Sequence, residues 1–399
     1  MWTTLVIILS VFMLEGAESS FQNDSESLVV AKMVAEAIGD DIADSSFGLG
    51  FLKSDNNLDV DAYSLIYNDN LEGYHYESYM SQVGIQGHIF GKIVSIIPKM
   101  NKINLFRLIC CCLLVIVLVL IIIQLHKRYG ILFASIFGVV SFLSPWIVNF
   151  SRNLYWVEFT WFIPMLLCLL CINYEDKRKF IYPLFFIAIF IKCLCGYEYL
   201  STIMMTGIMF LMVEWVCNKE SRRNIFKTIF IVGICSLAGF LAAFIIHAFI
   251  YGSGDVLNGF KMLQAELVER RTFGSATNFD PAYAESLEAS VLDVLVKYFW
   301  STDGILGGKP MCFIFVITVI ALMYQKFVLK EHNKFEVSLF IITLLTTISW
   351  FVLGKAHSYI HTHMNFVLFF MGWIQVSFYI LCKTIIVKKN MRLMLKGEE

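Results

Sequence analysis

The segment INLFRLICCCLLVIVLVLIIIQL, residues 103–125, carries a single charge, Arg107, in an otherwise almost unbroken apolar run. A helix needs about 20 such residues to cross roughly 30 Å of hydrocarbon, so this segment alone reads as a transmembrane helix. Working outward, nine more apolar runs bounded by charge lie at 2–14, 129–148, 155–173, 180–195, 202–217, 226–251, 309–325, 336–354 and 364–387. The composition agrees with them. The 399 residues are 58% hydrophobic and 16% charged, whereas a soluble globule needs roughly a quarter charged. The expected fold is an all-α polytopic membrane protein with about ten transmembrane helices. A cytosolic enzyme, a nucleic-acid-binding domain and a coiled coil are excluded.

The first run lacks a Lys/Arg n-region, and Glu15-Gly16-Ala17-Glu18 is a poor cleavage site, so residues 1–16 read as a retained helix. Ten crossings put both termini on one side. Lys127-Arg128, Lys177-Arg178-Lys179, the cluster Lys219, Arg222, Arg223 and Lys227, the trio Lys326, Lys330 and Lys334, and the tail from Lys383 to Lys396 all fall on that side. The positive-inside rule makes it the cytoplasm. Helices two to seven occupy 103–251, and helices eight to ten with the basic tail occupy 309–399. Between them, two long segments, 17–102 and 252–308, become exoplasmic loops, each expected to carry amphipathic helices at the membrane surface.

All eleven cysteines lie in or beside the apolar runs, and Cys110-Cys111-Cys112 and Cys193/Cys195 lack zinc spacing. Gly48-Leu49-Gly50 is not a nucleotide fingerprint. The first loop opens with Phe21-Gln22-Asn23-Asp24-Ser25-Glu26-Ser27 and continues with Leu28, Ala31, Lys32, Val34, Ala35 and Ile38 at helical spacing. Asp24 is expected at the helix start, either as an N-cap or as a general base toward a hydroxyl nucleophile.

A first membrane helix, an acidic pair entering a helix in a long outer loop and many short helices resemble the GT-C glycosyltransferases. Tyr79-Met80-Ser81-Gln82-Val83-Gly84-Ile85-Gln86-Gly87, Ser144-Pro145-Trp146, Asn149, Ser151-Arg152-Asn153 and Glu158 resemble segments of its bacterial members. The resemblance implies an inverting transferase of the bacterial inner membrane. Its donor is a polyprenyl-phosphate sugar, its acceptor an envelope glycan such as O-antigen, and its partners include the bilayer but no nucleic acid. It further implies a catalytic carboxylate at Asp24, or at Glu26 if the register differs. No cofactor is implied, although a divalent cation is compatible with the reaction.

Within that frame the donor phosphate needs cations or hydrogen-bond donors. Candidates are Arg152, Lys192 at the outer end of the fifth helix, Arg270-Arg271 in the second loop, and the histidines of Lys355-Ala356-His357-Ser358-Tyr359-Ile360-His361-Thr362-His363. Snorkelling explains Lys192 equally well. The three histidines lack the HExxH pattern, so no metal site is expected. Glu72, Glu77, Tyr74, Tyr76, Tyr79, Gln82 and Gln86 are candidates for holding the acceptor, while Asp59-Val60-Asp61 reads as a surface motif. An O-antigen polymerase is the alternative enzyme. A lipid-sugar flippase or transporter ranks third, because the ionisable residues collect at helix ends and not at mid-membrane.

Overall fold

The computed structural model describes residues 2–38, 48–56, 58–66, 73–96, 102–304 and 308–397. The chain begins with helix α1 (Trp2–Gly16). The first long segment then folds as α2 (Asn23–Ile38), strand β1 (Leu49–Ser54), α3 (Ala62–Leu65), β2 (Tyr74–Tyr79) and α4 (Ile85–Ile96). A run of long helices follows: α5 (Lys102–Tyr129), α6 (Ile131–Phe142), α7 (Pro145–Ser151), α8 (Phe159–Asn173), α9 (Arg178–Cys195), α10 (Leu200–Cys217) and α11 (Arg222–Tyr251). The second long segment holds α12 (Val256–Leu263), α13 (Ala284–Glu288) and α14 (Val291–Trp300). The chain closes with α15 (Met311–Phe327), α16 (Lys334–Leu353), α17 (Lys355–Ile360) and α18 (Trp373–Gly397).

Among the described residues, α5, α10, α11 and α16 are long and apolar enough to cross a membrane. A fifth span results if α6 and α7 count as one, bent by 62°. The bend has a local cause. Pro145 lacks an N–H and disfavours helical geometry in the residue before it, and Ser144 caps the new helix by accepting from the Ile147 N–H at 3.2 Å. All ten apolar runs are helical, but α1, α8 and α15 are shorter than the four clear spans. The last run is also broken: a 3-10 turn at Asn365–Phe370 precedes Gly372, whose φ of +137° no L-residue adopts comfortably, and α18 starts after it. Short basic turns join consecutive long helices at one end of the bundle, so both long segments sit at the other.

The first long segment corrects two expectations. It is not all helical, because β1 and β2 pair antiparallel, Leu49 opposite Tyr79 and Ser54 opposite Tyr74. The alternation in Tyr74-His75-Tyr76-Glu77 is a strand pattern, and aromatic residues favour it. Nor does α2 lie on a surface. Residues Val29 to Ala35 are essentially inaccessible, enclosed by α4 and β1. Lys32, the one cation in this buried stretch, pairs with Glu36 one turn on at 3.2 Å and lies over the Tyr76 ring, so its charge is satisfied inside. The second segment keeps its amphipathic pattern: α14 buries Val294 and Tyr298 and leaves Leu292, Val296 and Trp300 exposed.

Candidate functional site

The start of α2 is fixed from two sides. Asn153 donates through Nδ2 to the carbonyls of Phe21 and Gln22, at 3.2 and 3.1 Å. Glu26 is buried and saturated: it accepts from the Leu154 N–H at 3.0 Å, from the Tyr63 hydroxyl at 2.7 Å and from both Nε and an amino group of Arg107. Asp24, two residues earlier, is exposed and lies in the first turn, not at the cap position, because the helix begins at Asn23. One residue pair of the sequence thus has two fates, set by which side of α2 meets α5.

Asp24 faces a cavity of about 330 Å³. Its walls bring together residues from six distant stretches: Asp24, Tyr79, the pair Tyr155 and Trp156, Glu198, the pair Arg270 and Arg271, and the trio His357, His361 and His363. The second long segment is bolted to the histidine helix. The Arg271 carbonyl accepts from the N–H groups of Ala356 and His357 at 3.1 and 3.3 Å, closing the start of α17. Tyr298 donates to Ser358 O at 2.7 Å, and the Lys355 ammonium donates to Leu287 O at 2.6 Å. These bonds hold the arginines in the wall of the cavity that Asp24 also lines.

The electrostatics divide the work among these groups. Burial, with His363 and Arg271 alongside, pushes His361 down to about 4, although Glu198 and Asp24 pull the other way. Burial, then His361 and the two arginines, holds His357 well below the ordinary imidazole range. Both rings are therefore neutral at pH 7 and offer hydrogen bonds, not charge. The cationic charge comes from the arginines. Arg270 is engaged by Glu266 at 3.1 Å and by the Tyr283 hydroxyl at 3.2 Å, while Arg271 is buried with Glu198 at 3.3 Å. Arg271 Nε, His357 Nδ1 and His361 Nδ1 are buried without a hydrogen-bond partner among the described residues.

Backbone strain collects in the same place. Among the described non-glycine residues only five have positive φ, and three of them flank this cavity: Gln22 at 55° lines it, Val157 at 39° follows Trp156, and Tyr199 at 62° follows Glu198. Left-handed backbone is costly for a β-branched or bulky residue and persists only where packing enforces it. Here Trp156 stacks on Tyr199 at 5.6 Å, and Trp161 meets Tyr199 edge-on at 5.1 Å.

A second, apolar cavity of about 480 Å³ lies between α10, α11 and α16, lined by Leu200, Met204, Leu237, Phe240, Phe244 and Trp350. Arg271 lines this one too. Arg271 is thus common to the walls of the polar chamber and the apolar groove.

No protein family, curated protein or solved structure matches the chain. The assignment of a function rests on the site itself.

Other expected residues lie elsewhere. Arg152 lines a separate cavity with the ends of α1 and α5. Lys192 neither snorkels nor reaches the chamber; it is buried and donates to Gly196 O at 2.6 Å. Gln86 is a tie, donating to Tyr155 O at 2.9 Å and Cys195 O at 3.1 Å. Gln82 is buried behind the wall, so close to Glu198 that a Cβ at Gly196 would sit 2.4 Å from its Oε1. Glu77 is exposed and pairs with Lys53 at 3.4 Å. Asp59 also pairs with Lys53, and Asp61 caps α3, so that motif is structural. Tyr76 is buried, donating to Gly48 O, and Glu72 lies outside the described residues. Among the described residues no three His, Cys, Asp or Glu are grouped to hold a metal. Glu198, Tyr155 and Trp156 were missed as site residues. The available signal for Glu198 was a carboxylate between two apolar runs, far from any basic turn.

Proposed function

We propose that the chain is an inverting membrane glycosyltransferase with a GT-C-like, ten-crossing arrangement. It moves a sugar, a hexose such as glucose, from a polyprenyl-phosphate donor to an envelope glycan such as O-antigen. The two long segments then face the exterior of a bacterial inner membrane, and both termini face the cytoplasm. One observation carries this reading: Arg271 lines both a polar chamber containing Asp24 and an apolar groove between helices. A donor with a phosphosugar head and an isoprenoid tail matches that division.

In the proposed reaction an acceptor hydroxyl in the chamber attacks the anomeric carbon on the face opposite the phosphate. The Asp24 carboxylate takes the hydroxyl proton as the new C–O bond forms. The anomeric carbon–oxygen bond breaks with its electron pair leaving on the lipid phosphate, and the configuration inverts. Arg271 and Arg270 offset the charge that develops on the phosphate, and neutral His357 and His361 are placed to add hydrogen bonds. Glu26 takes no part in proton transfer here, because Arg107, Tyr63 and Leu154 already saturate it.

The test is mass spectrometry of the surface glycan from cells that supply polyprenyl-phosphate sugars, with wild type or Asp24→Asn present at equal membrane level. Wild type adds one sugar per repeat and the variant adds none. Full activity of Asp24→Asn would sink the assignment of the base. A change in glycan chain length without added sugar would replace this reading with the polymerase.

A further inference from the structure

A further cavity, of about 340 Å³, is lined by Glu18, Phe21, Trp146, Asn149, Asp303 and His363. Two of these residues tie it to the chamber that Asp24 lines. His363 lines both cavities, and Phe21 lines this one while Gln22, next in the chain, lines the chamber. Asn153 holds the Phe21 and Gln22 carbonyls, so that step of the backbone is fixed.

The aromatic part of the lining is held rigid. Trp146 is half-buried, its Nε1 donates to the Gly304 carbonyl at 3.1 Å, and its ring packs against Phe366 with centroids 5.4 Å apart. Phe21 meets it edge-on at 6.5 Å. The polar groups keep hydrogen-bonding capacity. Glu18 accepts from the Ser20 hydroxyl at 3.0 Å and Asp303 from the Ser301 hydroxyl at 3.1 Å, each through one oxygen. The second oxygen of each carboxylate takes no bond among the described residues. Asn149 accepts from the Glu18 N–H at 2.8 Å, which leaves its Nδ2 group to donate. Apart from His363, the ionisable groups of the lining are these two carboxylates, with no lysine or arginine among the described residues. Nor are three metal-ligating side chains grouped there to hold an ion.

We propose that this cavity is an acceptor subsite: it holds the sugar adjoining the one whose hydroxyl faces Asp24, and it selects a glycan without acidic groups. Its role as acceptor site rests on the transferase reading, whereas the binding does not. A pyranose lays its apolar C–H face on an aromatic ring, and its hydroxyls donate to carboxylates, which only accept. A carboxylate or phosphate on the glycan would instead meet Glu18 and Asp303, where like charges repel. Donor tail and acceptor chain then occupy different cavities, one lined by Arg271 and the other by His363.

The experiment is saturation-transfer NMR on the full chain in detergent micelles. The probes are short neutral oligosaccharides from an O-polysaccharide and the same oligosaccharides with their primary hydroxyls oxidised to carboxylates. Wild type binds the neutral set about tenfold more tightly at low ionic strength, and the gap narrows in salt. Joint Glu18→Gln and Asp303→Asn substitution closes the gap, and because both side chains are exposed it leaves the core alone. Trp146→Leu weakens binding of both sets, whereas Trp146→Phe keeps most of it. Equal binding of the two sets by wild type, a gap unchanged in the double variant, or no binding of the neutral set overturns the inference. Mass spectrometry of the surface glycan separates this from the transferase reading. Selective binding with no sugar ever added refutes the transferase and leaves the glycan site, while sugar addition without selective binding refutes the subsite and leaves the transferase.

Discussion

Arg107 grips Glu26 with two guanidinium nitrogens while Asp24, only two residues away on α2, stands free in the chamber. Two carboxylates that look interchangeable in the sequence are thereby separated into a buried fastener and an exposed group in the chamber wall. Their variants should differ in kind. Asp24→Asn lowers transfer by about 100-fold or more with little change in thermal stability. Glu26→Gln leaves Arg107 half-buried beside a neutral amide and lowers stability by about 3 kcal/mol. Melting curves in micelles together with a transfer assay check both, and similar stability losses in the two variants would contradict the division.

A buried ion pair is best tested by removing one partner and then both. Arg271→Met strands the Glu198 carboxylate in the wall and costs about 3–5 kcal/mol. Adding Glu198→Gln restores much of that stability, because no uncompensated charge remains. Donor binding stays lost in the double variant if Arg271 holds the phosphate, so thermal unfolding and donor affinity should part company.

The histidine cluster makes stability sensitive to acid. His361 titrates at about 4 in the fold, below its ordinary 6.5. Above about 6.5 the ring is neutral whether folded or not, and this group has no pH effect. As pH falls from about 6.5 toward 4 the unfolded chain takes up the proton first, and stability is lost. Between those limits, the melting temperature of His361→Gln should fall less steeply than that of wild type.

Filling the apolar groove should act on the lipid and not on the chemistry. Met204→Trp narrows the space between α10 and α16. With a long-chain donor KM rises about tenfold while kcat holds, as expected for loss of uniform binding. A short-chain soluble donor analogue is unaffected. An equal effect on both donors would place the tail elsewhere.

Hydropathy made the helices legible, because a run such as 103–125 has no alternative in water. The chamber was partly legible, since Asp24 and the three close histidines are conspicuous among apolar neighbours. What sequence could not reveal was which polar residues turn inward. Lys32 was legible only as part of a helical pattern, and nothing in that pattern showed that Glu36 and Tyr76 enclose its charge. Arg152 was the favoured arginine and Arg271 the lesser candidate, yet it is Arg271 that shares a cavity with Asp24. Glu198 was hidden by its setting, its partner Arg271 lying 73 positions away in the chain.

The carbonyl of Arg271 closes the first turn of α17. Lifting the second long segment away from the bundle would break those bonds and unravel the turn that carries His357, so this roof cannot hinge freely as a lid. Under the proposed function, a donor would then enter sideways. In the proposed reaction the donor would slide its tail in between α10, α11 and α16 from the plane of the bilayer, and the chamber would be reloaded without its ceiling being raised.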